Sequence, residues 1–116
     1  MNDVMIYHNP KCSKSRDTLA LLRLRGIEPK IVEYLKNPPD EDELARILGM
    51  LELEPIALMR TKEERYEELG LEEKKHDRKE MIRQMIQNPI LIERPIVVKG
   101  NQARIGRPPE KVLEIL

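Results

Sequence analysis

The sequence predicts an α/β fold in one domain over residues 1–116, a βαβ unit and a ββα unit around a small mixed sheet, with a helical insertion over about 37–90. Three observations carry this. An apolar run of strand length stands at 4–7, and segments of strand texture stand at 31–34, 96–99 and 102–105. The first two bracket apolar residues at helical spacing, and strand, helix, strand within about 30 residues makes a βαβ unit with a right-handed crossover. Between the two pairs of strands the texture is that of short helices stopped by Gly, Asn and Pro.

Taken in order, residues 4–7 form a short buried strand ended by the turn pair Asn9-Pro10. Ser13 or Ser15 is expected to cap the next helix, Leu19, Ala20 and Leu22 supply its apolar positions, and Gly26 stops it. Residues 31–34 are the second strand. Asp40 with Glu43 makes an acidic capping box for a helix running to about Leu48. A second inserted helix is expected over 61–69, stopped by Gly70. A third is expected over 77–87, with Met81, Ile82, Met85 and Ile86 as its apolar stripe and Asn88-Pro89 as its end. Residues 96–99 and 102–105 read as a hairpin around Gly100-Asn101, and Pro108-Pro109 opens a last short helix carrying Val112, Leu113 and Ile115. By analogy this order is the layout of a thioredoxin-like fold with an insertion after its second strand.

Composition excludes several classes of function. Lys+Arg and Asp+Glu are equal at 21 each, so no global field draws in DNA, RNA or an anionic membrane. There is no Phe or Trp, and three tyrosines are too few for aromatic stacking on single-stranded nucleic acid. One cysteine makes no internal disulfide. The first residues lack the pattern of a signal peptide, and no run approaches the ~20 apolar residues of a membrane span. The expectation is a cytoplasmic monomer with no nucleic-acid and no membrane partner. No His, Cys, Asp and Glu cluster has metal-ligand spacing, so no metal site is expected.

The chemistry centres on Cys12, placed where the first strand hands over to a helix. A thiol there meets the positive end of the helix dipole and unpaired backbone N–H groups, which favour thiolate and make an anion site. In the thioredoxin-like layout this is the carboxyl edge of the sheet, where open α/β sheets place ligands. A phosphatase loop would need Arg six positions after the cysteine, but Thr18 stands there; a dithiol site would need Cys at position 15, which is Ser. A Cys-His hydrolase could use His8, without an evident orienting partner. A thiolate that attacks an oxyanion and is rescued by an external thiol fits a single cysteine best.

Each residue also has a plainer reading. A lone cysteine is often a small buried hydrophobe, His8 can be a turn residue, and Ser15 can be a cap. Protonated, His8 would lower the pKa of Cys12. Arg94 precedes Pro95, a candidate cis peptide, and Arg107 precedes Pro108-Pro109, so both sit in rigid turns suited to forked hydrogen bonds with an oxyanion. Arg60 closes the run Ile56-Ala57-Leu58-Met59 and reads equally as a surface residue.

The chain resembles the glutathione- and glutaredoxin-dependent arsenate reductase family, nearest its short chromosomal members. The matching pieces are Ile6-Tyr7-His8-Asn9-Pro10 with Cys12 and Ser15-Arg16, Leu58-Met59-Arg60, Tyr66-Glu67-Glu68-Leu69-Gly70-Leu71, Asn88-Pro89-Ile90-Leu91, Glu93-Arg94-Pro95-Ile96-Val97-Val98, and Arg107-Pro108-Pro109. They run collinearly along essentially the whole chain. The resemblance implies that Cys12 is the nucleophile toward arsenate, that His8 and Ser15 hold its thiolate, and that Arg60, Arg94 and Arg107 bind the oxyanion. It further implies glutathione as co-substrate, glutaredoxin as partner and no bound cofactor. Two features depart from the plasmid-type enzymes: the bulkier, basic Ser13-Lys14 after the cysteine, and the end of the chain at Leu116. Two other readings stay open, a thiol transferase on glutathione-linked substrates and an RNA polymerase-binding regulator without the redox switch.

Overall fold

The computed structural model describes residues 3–116 and forms two compact units, one of the residues up to Asn37 with Arg94–Leu116 and one of Pro38–Glu93. The first holds the sheet. Its elements are β1 (Val4–His8), α1 (Ser13–Leu24), β2 (Lys30–Glu33), β3 (Ile96–Lys99), β4 (Gln102–Ile105) and a closing 3-10 helix, Pro109–Ile115.

The strand order is β2-β1-β3-β4, with β1 parallel to β2 and every other pair antiparallel, which makes the expected mixed sheet. Val4, Ile6, Tyr7 and His8 of β1 are buried, as a central strand requires. Lacking Phe and Trp, the core is aliphatic: Val4, Ile6 and Val97 of the sheet pack with Leu19 and Leu22 of α1 and with Val112 and Ile115 of the last helix. Helix α1 ends at Leu24 because Gly26 turns the chain at φ 75, with the Gly26 N–H on Arg23 O and the Ile27 N–H on Leu22 O. That is a Schellman ending, and Ile27 packs back on the core.

Two local expectations are corrected here. Cys12 itself, in extended conformation, is the N-cap residue of α1, not Ser13 or Ser15; the Ser15 hydroxyl is turned to other partners. The second strand runs from Lys30 to Glu33, one residue earlier than expected, because the Lys36 and Asn37 N–H groups close a turn on Glu33 O. Tyr34 lies past the strand and is buried.

The second unit is helical: α2 (Glu41–Leu51), α3 (Pro55–Leu58), α4 (Glu64–Glu68), a 3-10 turn at Leu71–Lys74, α5 (Arg78–Gln87) and a 3-10 turn at Pro89–Leu91. Asp40 caps α2 by accepting the Glu43 N–H at 2.8 Å, and Asp77 caps α5 through Glu80. Leu44, Ile47 and Leu48 of α2 and Met81, Ile82 and Met85 of α5 are the buried faces. The helix expected over 61–69 is cut to Glu64–Glu68. The Arg60 N–H is committed to Leu91 O at 2.7 Å and Met59 bridges Ile92, which holds the backbone extended at that point. Neither α3 nor the two 3-10 turns was expected; each is four residues or fewer, too short for periodicity to reveal.

Candidate active site at the carboxyl edge of β1

Register decides which residues meet. Tyr7 pairs with Ile96, and Ile96 with Ile105, so the carboxyl end of β1, the start of β3 and the end of β4 share one edge. His8 and the Cys12 loop leave β1 there, Arg94-Pro95 leads into β3, and Gly106-Arg107 leaves β4.

The loop is held by its own polar groups. Asn9 Oδ1 accepts the Lys11 N–H at 3.0 Å, an Asx turn, while Asn9 O accepts the Cys12 N–H at 3.0 Å. Arg16 Nη1 reaches back to Pro10 O at 3.0 Å. Cys12 is left 9% exposed with its sulfur at the start of α1.

Burial pushes the Cys12 thiol up, but it is outweighed. The Ser15 N–H, then the hydrogen bond and charge of the Arg94 guanidinium, then the Lys14 N–H all favour the anion, and the thiol ends below its ordinary pKa. The thiolate thus occupies the place of a capping oxygen, with orphan helix N–H groups as donors.

Ser15 is fully buried, with Oγ 2.6 Å from His8 Nδ1 and accepting the Asn9 N–H at 3.0 Å. His8 is depressed below its ordinary pKa, first by burial and further by the charges of Arg23 and Arg16, against an opposing pull from Glu33. The imidazole is therefore favoured neutral, and the pull on the Cys12 thiol comes from amides and Arg94 instead of a protonated His8.

Arg94 and Arg107 are coupled through the backbone. Arg107 Nη1 donates to Arg94 O at 3.2 Å and the Gly106 N–H to Pro95 O at 2.9 Å. The peptide expected to be cis before Pro95 is cis, as is the one before Pro108. Gly106 packs so tightly that a Cβ there would collide with Thr18 Oγ1 and come within 2.9 Å of Pro95 Cγ. Thr18 is itself fully buried, its hydroxyl donating to Lys14 O at 2.8 Å.

The sheet unit thus brings together Cys12, His8, Ser15, Arg94 and Arg107. Arg60 belongs to the helical unit, where Nη1 is 2.5 Å from Glu63 Oε1 and Nε 3.8 Å from Glu93 Oε1. Sequence reasoning gave Asn9 only a turn, used Thr18 only to exclude a phosphatase loop, and assigned nothing to Gly106. The Asn-Pro turn chemistry signals the first, and a glycine at a strand end signals close backbone approach; nothing local marks Thr18. Among the described residues no group of three His, Cys, Asp or Glu could hold a metal ion, and no helix is long and apolar enough to cross a membrane.

Residues 7–115 match the model of the ArsC family. The chain belongs to the ArsC family. An uncharacterised protein of Escherichia coli K12, YfgD, is 52% identical over 114 residues, 97% of this chain and 96% of its own. An arsenate reductase of Haemophilus influenzae is 48% identical over 114 residues, 97% of this chain and 98% of its own. The solved structure of an arsenate reductase from Vibrio cholerae has a TM-score of 0.94 at 54% identity and covers 97% of each chain. The structural relatives share the thioredoxin-like arrangement of the sheet.

Proposed function

We propose that this chain is an arsenate reductase whose Cys12 thiolate attacks arsenate held by arginines. The observation that carries the reading is the Cys12 sulfur, lowered in pKa against its burial by two helix amides and the Arg94 guanidinium. The same donors that favour the thiolate neutralise the charge of an anionic electrophile brought to it. Arg94 and Arg107 stabilise the charge building on the oxyanion through forked N–H groups. Arg60 enters on the family resemblance. His8 and Ser15 hold the loop from which the thiolate projects.

Attack forms a sulfur–arsenic(V) bond while one arsenate oxygen, protonated, leaves as water. Glutathione thiol then adds to the arsenic of that adduct with loss of a second water. Glutaredoxin thiol attacks the glutathione sulfur; the mixed disulfide formed leaves two electrons on arsenic, and arsenite departs on hydrolysis. The electrons are external, in keeping with a single cysteine, and glutathione is a co-substrate, not a bound cofactor. A reducing, cytoplasmic setting and a monomer complete the reading.

Arsenate-dependent NADPH oxidation in the presence of glutathione, glutaredoxin and glutathione reductase tests it, comparing the wild type with Cys12→Ser. Turnover that is lost in the folded variant supports the reading. A folded wild type without turnover overturns it.

A further inference from the structure

We propose that Glu63 and Glu93 set the oxyanion affinity of Arg60 by competing for its guanidinium, an inference that rests on Arg60 being an oxyanion arginine. Both carboxylates are placed by the main chain. Residues 58–60 and 91–93 are laid side by side: the Arg60 N–H donates to Leu91 O at 2.7 Å, the Glu93 N–H donates to Leu58 O at 2.9 Å, and Met59 pairs with Ile92 between them. This antiparallel clamp puts Glu93 beside Arg60. The Glu63 N–H closes a turn on Arg60 O at 3.1 Å, bringing its side chain back over the same guanidinium.

The three side chains are 25%, 25% and 29% exposed for Arg60, Glu63 and Glu93, so water screens them only in part. At Arg60 itself one positive charge faces two negative ones, so its guanidinium is already neutralised before an oxyanion arrives. Binding requires Glu63 to swing away from Nη1, and its charge then repels the ligand from nearby. Lys62 and Arg65 line the same cavity of about 500 Å³, with Arg65 3.7 Å from Glu68. Glu63 and Glu93 act on the ligand through Arg60, as residues that set affinity.

Calorimetric titration of the whole protein with sulfate, an unreactive tetrahedral oxyanion, tests this. Glu63→Gln keeps the shape and removes the charge, and it should tighten sulfate binding roughly fivefold, the scale of a part-exposed charge contact; Glu93→Gln should act in the same direction. The gain should vanish in an Arg60→Ala background. An unchanged or weaker affinity in Glu63→Gln overturns the proposal, as does a gain that survives Arg60→Ala. Sulfate binding is read without turnover, so failure of arsenate reduction would refute the proposed activity and leave this comparison intact.

Discussion

Ser15 Oγ lies 2.6 Å from His8 Nδ1 and 3.0 Å from the Asn9 nitrogen whose N–H it accepts. A single buried hydroxyl thereby ties the end of β1 and the start of the Cys12 loop to the first turn of α1. The Ser15 amide that favours the Cys12 thiolate is positioned by the same residue.

Ser15→Ala leaves His8 Nδ1 and the Asn9 N–H without this partner inside the protein. A buried group stripped of its hydrogen bond costs about 1–3 kcal/mol, so urea unfolding should show a loss of that order. The same variant should raise the midpoint of Cys12 alkylation against pH, as the loop loosens around the thiolate.

His8 has a folded pKa below its unfolded value near 6.5, so the unfolded chain takes up the proton first as pH falls. The stability contributed by keeping His8 neutral is complete above about 6.5 and is lost as pH drops through the folded value. His8→Gln should flatten this acid limb. Denaturation midpoints measured from neutral to mildly acidic pH in both proteins check it; equal slopes would remove His8 from the linkage.

Cys12 follows the same sign with a different window. Its folded pKa is depressed, so thiolate stabilisation is full above the ordinary thiol pKa near 8.5 and fades as pH falls through the folded value. Alkylation of the wild type should therefore show a midpoint below that of the same thiol in the unfolded chain. Arg94→Ala removes both a hydrogen bond and a charge, moving that midpoint up. Its turnover should fall by about 10²–10³-fold, the usual effect of losing one charge-stabilising donor. Arg94→Lys, a point charge in place of a fork, should restore part of the midpoint shift and less of the rate.

Gly106→Ala drives a methyl group into Thr18 and Pro95, and overpacking of this kind costs about 1–3 kcal/mol. Because Gly106 and Arg107 are bonded to Pro95 and Arg94, the variant should also raise KM for arsenate by displacing both guanidinium groups. Adding Thr18→Ala removes the nearest obstructing atoms and should recover part of the unfolding free energy and of KM. No recovery in the double variant would place the damage elsewhere.

By itself the sequence determined the parts of this protein that a few neighbouring residues encode. Segments of strand character marked the four strands, Asp40 opened its helix where capping chemistry said it should, and Gly26 ended α1. Cys12 stood at a strand-to-helix junction, so its approach to orphan helix N–H groups was legible from the residues on either side of it. Only the tertiary structure decided which distant residues share an edge. The β2-β1-β3-β4 order and its register carry Arg94 and Arg107 to the end of β1, a consequence of hydrogen bonds between strands far apart in the chain. The shortened helix near residue 61 has the same origin, a non-local bond from the Arg60 N–H to Leu91 O that overrides local propensity. So has the depressed His8: the resemblance tied it to the Cys12 thiolate, and a protonated ring would have lowered the thiol, yet burial and the charges of Arg23 and Arg16 favour the neutral ring. Protonation balances burial against every charge the fold gathers round a group, and local sequence specifies neither.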